Sequence, residues 1–263
     1  MPRKLLNVLL PAATGALFIA VWYAVCFSLN EDNRFLLPTP GQVLGAMRDN
    51  SDILARATIN TAEGGLLGFS LAIAFSFSFA LLLSLSPLIR VSLQPYLMMM
   101  QLVPTIVLGP ILVLWVGPGL KSVTIITFLI CFFPLVVNTA QGLISTDRDL
   151  VDLFKMYKAS RCQELFFLRV PAALPYFFTG LRIAAVLAPI GAIVGDYTAG
   201  SSAGDGGGLG FRVIIFSGHA QYPALFATVV ISCLLGFIFV AAVLALSRLA
   251  LHKWHDSFER TDK

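Results

Sequence analysis

Charge is what this sequence has least of. Aspartate, glutamate, lysine and arginine make up 12% of its 263 residues, against about 25% in an ordinary soluble domain, which leaves too little ionised surface for a folded chain of this size in water. Cysteine is scarce too. Cys26, Cys131, Cys162 and Cys233 stand far apart, with no Cys-x-x-Cys pair and no histidine at ligand spacing; this argues against a disulfide framework or a zinc site and leaves small apolar filler. The three histidines, His219, His252 and His255, fall in loops or the tail, and no His-Glu-x-x-His or Gly-x-Ser-x-Gly occurs, so an intramembrane enzyme lacks its nucleophile and base. A phosphate loop of the Gly-x-x-x-x-Gly-Lys-Ser/Thr type is also missing. The formal charge of +4 forms no basic stripe, because the bases cluster between apolar runs, and nucleic acid is not expected as a partner.

What is present is length without charge. A helix needs about 20 apolar residues to cross a bilayer, and the uncharged stretches 5–30, 64–89, 91–120, 122–146 and 213–247 are long enough. A sixth, Leu174 to Ala199, holds Arg182 near its start and Asp196 near its end, positions from which polar tips reach the interface. The chain reads as all-α: a polytopic membrane protein with about six transmembrane helices, one transmembrane domain over 1–263, in contact with a lipid bilayer. The first stretch is longer than a signal-peptide core and has no small-residue cleavage site, so it is read as an anchor.

Orientation follows from lysine and arginine, which accumulate in cytoplasmic loops. With both termini inside and six crossings, thirteen of the 18 basic residues fall on the cytoplasmic side, and only Arg34, Arg48, Arg56, Lys121 and Arg212 fall outside. Thr39 followed by Pro40 predicts a capped short helix at the outer surface, with Val43, Leu44 and Met47 on it. The run Gly204 to Gly210 matches no nucleotide-binding spacing and reads as an outer loop. Pro104, Pro110, Pro134 and Pro189 lie inside spans, where each removes a donor and tends to kink the helix.

The connection Asp147 to Pro171 breaks the pattern: nine of its 25 residues are charged. Thr146 with Asp149 resembles a capping box, and Leu150, Leu153, Phe154 and Tyr157 follow at helical spacing. Ser160 with Gln163 offers a second start, which Pro171 is expected to close. Two short cytoplasmic helices result, the first with an apolar stripe. Periodicity alone leaves open whether that stripe lies on the protein's own membrane surface or fills a partner's groove.

The segment Asp152-Leu153-Phe154-Lys155-Met156-Tyr157-Lys158-Ala159-Ser160-Arg161, continuing through Leu168-Arg169-Val170-Pro171 to Gly180-Leu181-Arg182, resembles the coupling loop of ABC importer permeases. That pattern is Glu-Ala-Ala, three residues, Gly, nine residues, then Ile-x-Leu-Pro. Asp152 falls on the Glu, Leu153 and Phe154 on the two Ala, Lys158 on the Gly, Leu168 and Val170 on the Ile and Leu. Leu37-Pro38-Thr39-Pro40-x-x-Val43, and Asp196 followed by Gly208-Leu209-Gly210-Phe211, are similar to the nitrate, sulfonate, taurine and thiamine-precursor branch.

The resemblance implies a type I importer permease fold in a bacterial inner (plasma) membrane, with residues 139–177 as a cytoplasmic coupling loop. It implies a homodimer, two cytoplasmic ABC ATPase subunits that bind ATP and magnesium, and an outer solute-binding protein; no cofactor belongs to this chain, and it is not itself an enzyme. Leu150, Asp152, Leu153, Phe154, Tyr157, Lys158, Ala159, Ser160 and Arg161 are the expected ATPase contact, and Asp196 is expected on the dimer's pathway or outer gate. The alternative is a secondary transporter or channel. Its support would be intramembrane charges, and the three candidates, Glu63, Arg182 and Asp196, read as lying near span ends.

Overall fold

The computed structural model describes residues 3–30, 35–200 and 207–251, with side chains described from residue 9 to residue 249. Arg34, the part of the glycine run from 204 to 206, and the tail residues His252, Lys253, His255, Arg260 and Lys263 lie outside the described residues. The described elements are helices: α1 (Arg3–Ser28), α2 (Pro40–Asp49), α3 (Ser51–Leu85), α4 (Pro87–Gln101), α5 (Thr105–Val116), α6 (Leu120–Ile144), α7 (Arg148–Met156), α8 (Arg161–Glu164), α9 (Val170–Ala199), α10 (Leu209–Gly218) and α11 (Tyr222–Leu251). Five of the described helices are long and apolar enough to cross a membrane, and a sixth span appears when α4 and α5 are taken as one broken crossing.

The break has a local cause. Proline lacks an N–H and pushes the residue before it out of the helical region, so Val103 and Pro104 end the run that began at Pro87, and the chain turns by 94° before α5 starts. One uncharged stretch thus makes two helices. Pro95, Pro110, Pro134, Pro175 and Pro189 remain inside their helices.

The centre of the bundle is α6, held between α3 and α9. Lipid offers no hydrophobic drive between helices, so close approach at small residues must supply dispersion contact. Gly68 of α3 does this: a Cβ there would stand 2.6 Å from Thr127 Cβ and 2.9 Å from the Phe128 nitrogen. On the other flank a Cβ at Gly195 of α9 would come within 3.0 Å of Val123 Cα. Above and below, Phe69, Cys131, Leu135, Ala184, Ala188 and Phe239 form one buried cluster, and Leu83, Phe133, Val136, Leu143 and Ala173 another. Cys26 and Cys131 are buried among apolar groups, while Cys162 and Cys233 are exposed free thiols.

Two features at the helix ends set up the sites. Thr39 caps α2, its hydroxyl accepting from the Gln42 N–H while the Gln42 side chain accepts from the Thr39 N–H, and Pro40 is the first helical residue. Val43 is thereby buried against Leu54, Phe216 and Ala227, at the end of the bundle where α9 gives way to α10. At the opposite end, Pro171 does not close α8. The helix continues from Arg161 to Ala199 through a π-turn at Leu165–Arg169, in which the Val170 N–H donates to the Leu165 carbonyl. The wider turn re-spaces the carbonyls ahead of Pro171, so the residue without a donor is taken up inside the continuous helix.

Candidate functional site

At the Pro171 end, α7 and α8 form a short hairpin whose geometry is over-determined. The N-cap of α7 is Asp147, whose carboxylate accepts from the Asp149 N–H at 2.9 Å, rather than Thr146, whose hydroxyl turns back to the Leu143 carbonyl of α6 at 3.5 Å. Aspartate both caps and complements the helix dipole, which decides the one-residue difference. The expected capping box of α8 is present: the Ser160 N–H donates to Gln163 Oε1 at 2.8 Å and the Gln163 N–H to Ser160 Oγ at 3.3 Å.

Between the two helices stands Lys158 with φ of 52°. The Lys158 N–H donates to the Lys155 carbonyl at 2.9 Å and the Ala159 N–H to the Phe154 carbonyl at 3.0 Å. Those two bonds make a Schellman motif with lysine at the position that usually holds glycine. Lysine adopts the left-handed conformation at a cost of about 1 kcal/mol or slightly more, so the turn keeps its shape despite its side chain.

A partly buried ion pair within the continuous helix, between Glu164 and Arg169, aims the Arg169 guanidinium at the end of α6. Arg169 Nε donates to Glu164 Oε1 at 2.7 Å, and Arg169 Nη1 reaches the Leu143 carbonyl at the end of α6 at 3.5 Å. No residue of α7 is buried. Leu150 and Leu153 are about half exposed, Phe154 is more covered, and Met156 and Tyr157 are 80% and 81% exposed. Asp152 pairs with Lys155 at 2.8 Å in solvent, an arrangement of little energetic weight; Ser160 and Arg161 are exposed and Ala159 is half-buried. Met156 belongs to this apolar surface although it lies off the stripe.

At the opposite end, the Asp196 carboxylate is 4% exposed and is enclosed by its own chain. Thr61 of α3 donates to Asp196 Oδ2, the Leu209 N–H donates to Thr61 Oγ1 at 2.8 Å, and the Gly210 N–H donates to the carboxylate. Asn60 Nδ2 adds a bond to the Gly207 carbonyl at 3.2 Å. A Cβ on Gly208 would overlap the Asp196 carboxylate, and one on Gly210 the Ile193 carbonyl. Asp196 therefore ties α3, α9 and the start of α10 into one knot, and Gly208 and Gly210 are small because the loop lies directly on it. Thr61 carries no local signal in the sequence, since its partners lie 135 and 148 residues away.

Arg182 sits deeper than its place in the uncharged stretch suggests. The Cys131 thiol donates to the Ala184 carbonyl at 3.5 Å, and Cys131 is near the middle of α6, so Arg182 lies at mid-height of that helix and not near a helix end. Its Nε is buried without a hydrogen-bond partner among the described residues. Glu63 is exposed near the Thr61 end of α3.

Among the described residues, a helical bundle with at least five membrane-length helices, a capped hairpin projecting at one end and a fastened carboxylate at the other is the architecture of a polytopic membrane protein. Residues 64–257 match the family described as binding-protein-dependent transport system inner membrane component, and the chain belongs to that family of ABC transporter permeases. It is 35% identical to the formylaminopyrimidine transport permease protein ThiX of Halalkalibacterium halodurans, over 82% of this chain and 85% of that protein. It is 31% identical to the riboflavin transport system permease protein RibX of Chloroflexus aurantiacus, over 92% of this chain and 88% of that protein. It is 26% identical to the taurine transport system permease protein TauC of Escherichia coli, over 95% of this chain and 90% of that protein.

Proposed function

We propose that this chain is the membrane-spanning subunit of an ATP-driven importer of a small nutrient, working as a homodimer in a bacterial inner membrane. The α7–α8 hairpin is the coupling element: two cytoplasmic ATPase subunits, which bind ATP and magnesium themselves, grip Leu150 to Arg161 of each copy. A solute-binding protein delivers substrate at the other face, where α2, α10 and Asp196 lie. Both termini and the 139–177 segment are cytoplasmic.

The observation that carries this reading is the apolar face of Leu150, Leu153, Phe154 and Tyr157, with Met156 beside it, on a hairpin fixed by two caps, a Schellman turn and the Arg169–Glu164 pair. No α7 residue is buried within the chain, which leaves this face open to a partner. ATP binding draws the two docked hairpins together. Because Arg161 to Ala199 is one continuous helix, movement of the hairpin is transmitted along α9 to the knot at Asp196, which serves as a fastening of the outer gate.

Phe154→Asp or Tyr157→Asp tests this directly. Burial of such a side chain contributes about 1.5–3 kcal/mol, and a charge stranded in the contact costs more. The ATPase subunit is expected to be lost on co-purification while insertion in the membrane is unchanged. Normal association of both variants would remove the hairpin from the coupling role.

A further inference from the structure

Thr61 has more neighbours than one hydroxyl can serve at once. Its Oγ1, buried on α3, lies against the Ala57 carbonyl at 3.0 Å, the Asp196 carboxylate and the Leu209 N–H at 2.8 Å. A hydroxyl carries one proton and two lone pairs. The Leu209 N–H can only donate, and it takes a lone pair. The Ala57 carbonyl and the Asp196 carboxylate can only accept, so they compete for the single proton. A bond to an ionised carboxylate is roughly twice as strong as one to a neutral carbonyl, and Asp196 wins while it is in reach.

This competition makes the contact releasable. If α10 lifts from α9, only the hydroxyl proton has to rotate, because the Ala57 oxygen is already within hydrogen-bond distance. Thr61 then keeps a partner inside α3, in the bond to the preceding turn that helical threonine commonly makes. The other groups have replacements too. Leu209 and Gly210 open α10, and the first amides of a helix have no partner within it; they hold Thr61 Oγ1 and the Asp196 carboxylate here and take water when released. Asp196 stands three residues before Ala199, the last residue of α9, so its carboxylate is close to water at the helix end.

The ties of α9 to its other neighbours do not use this hydroxyl. The Gly119 N–H donates to the Ala199 carbonyl at 2.7 Å, and a Cβ on Gly109 of α5 would stand 2.2 Å from Thr198 Oγ1. Thus α9 stays with α5 and α6 whichever way the Thr61 proton points, and α10 is the element that the exchange sets free.

We infer that Thr61 is the positioning residue of a reversible latch at the end of the bundle opposite the α7–α8 hairpin: its hydroxyl holds Asp196 and the first turn of α10 together in the closed state, and turns to the Ala57 carbonyl when α10 lifts. The inference rests on the importer reading and gives its outer gate a moving part, α10, and a residue that releases it.

The test follows hydrogen exchange in the full chain with its ATPase subunit in lipid nanodiscs, at rest and after trapping with ATP and orthovanadate, on the peptide spanning residues 207–214. Leu209 and Gly210 are expected to be protected at rest and to exchange about tenfold faster or more when trapped, the loss of bonding to a charged group. Thr61→Val, which removes the hydroxyl and keeps the shape, should raise resting exchange by a similar factor and raise ATP hydrolysis in the absence of the solute-binding protein. Thr61→Ser, which keeps the hydroxyl, should restore the wild-type pattern. Equal protection at rest and when trapped means a fastening that never opens, and this wild-type result overturns the latch even where Thr61→Val fails to insert. Resting exchange indifferent to Thr61→Val, or Thr61→Ser behaving as Thr61→Val does, overturns it as well. A wild-type assembly without vanadate-sensitive hydrolysis defeats the importer reading and the latch with it, whereas normal trapping with unchanged protection defeats the latch alone.

Discussion

Replacing Lys158 by glycine should tighten the hairpin. The perturbation removes a side chain from a residue whose φ is 52°, where an L-residue costs about 1–2 kcal/mol. Glycine gives back about 0.5–1 kcal/mol through its freer unfolded chain. The net gain is about 0.5–1 kcal/mol, and at 1.4 kcal/mol per factor of ten this makes local opening about two- to fivefold rarer. The amides that report it are the two donors of the Schellman bonds, Lys158 to Lys155 at 2.9 Å and Ala159 to Phe154 at 3.0 Å. Hydrogen exchange at those amides should slow by that factor in Lys158→Gly and quicken in Lys158→Val, whose branched Cβ resists the left-handed region. Faster exchange in the glycine variant would mean that the lysine side chain, not the backbone bonds, holds the turn.

Three further outcomes follow from the geometry. Arg169→Met should strand the 17%-exposed Glu164 carboxylate and destabilise the hairpin by about 1.5–3 kcal/mol, seen as faster exchange across Arg161–Arg169 with α3 and α6 unaffected. Asp196→Asn should lower transport while leaving the amount of inserted protein unchanged, because the Thr61 and Gly210 donors lose a charged acceptor; full uptake would reduce Asp196 to packing. Gly208→Ala should loosen α10 from α9 because its Cβ overlaps the Asp196 carboxylate, which is read as increased proteolysis between α9 and α10.

Much of this was legible from local pattern. The spans follow from the length of uncharged stretches and the Thr39 and Ser160 caps from side chains three residues from their partners, whereas the turn at Lys158 was marked only by the family resemblance, which sets a lysine at a glycine position. What local pattern misses is set by distance or by competition. Pro171 signals a helix end, yet the π-turn at Leu165–Arg169 absorbs it. Asp147 wins the N-cap over Thr146 by one residue. Charge position within an uncharged run does not give depth, because α9 extends beyond that run toward Arg161 and carries Arg182 to mid-bundle. Thr61 meets Asp196 only through the packing of α3 on α9, 135 residues apart in sequence. The family resemblance pointed to Asp196 and the loop after it, and the glycines prove to be the surface that closes over the carboxylate.

The most direct measurement of the central claim is uptake by the reconstituted assembly, chain plus ATPase plus solute-binding protein, in proteoliposomes with ATP inside or outside and with orthovanadate. Uptake is expected to require ATP on the side of the α7–α8 hairpin, to stop with orthovanadate, and to disappear in Phe154→Asp. Uptake driven by an ion gradient, indifferent to orthovanadate and to that substitution, would contradict it and identify the chain as a secondary transporter.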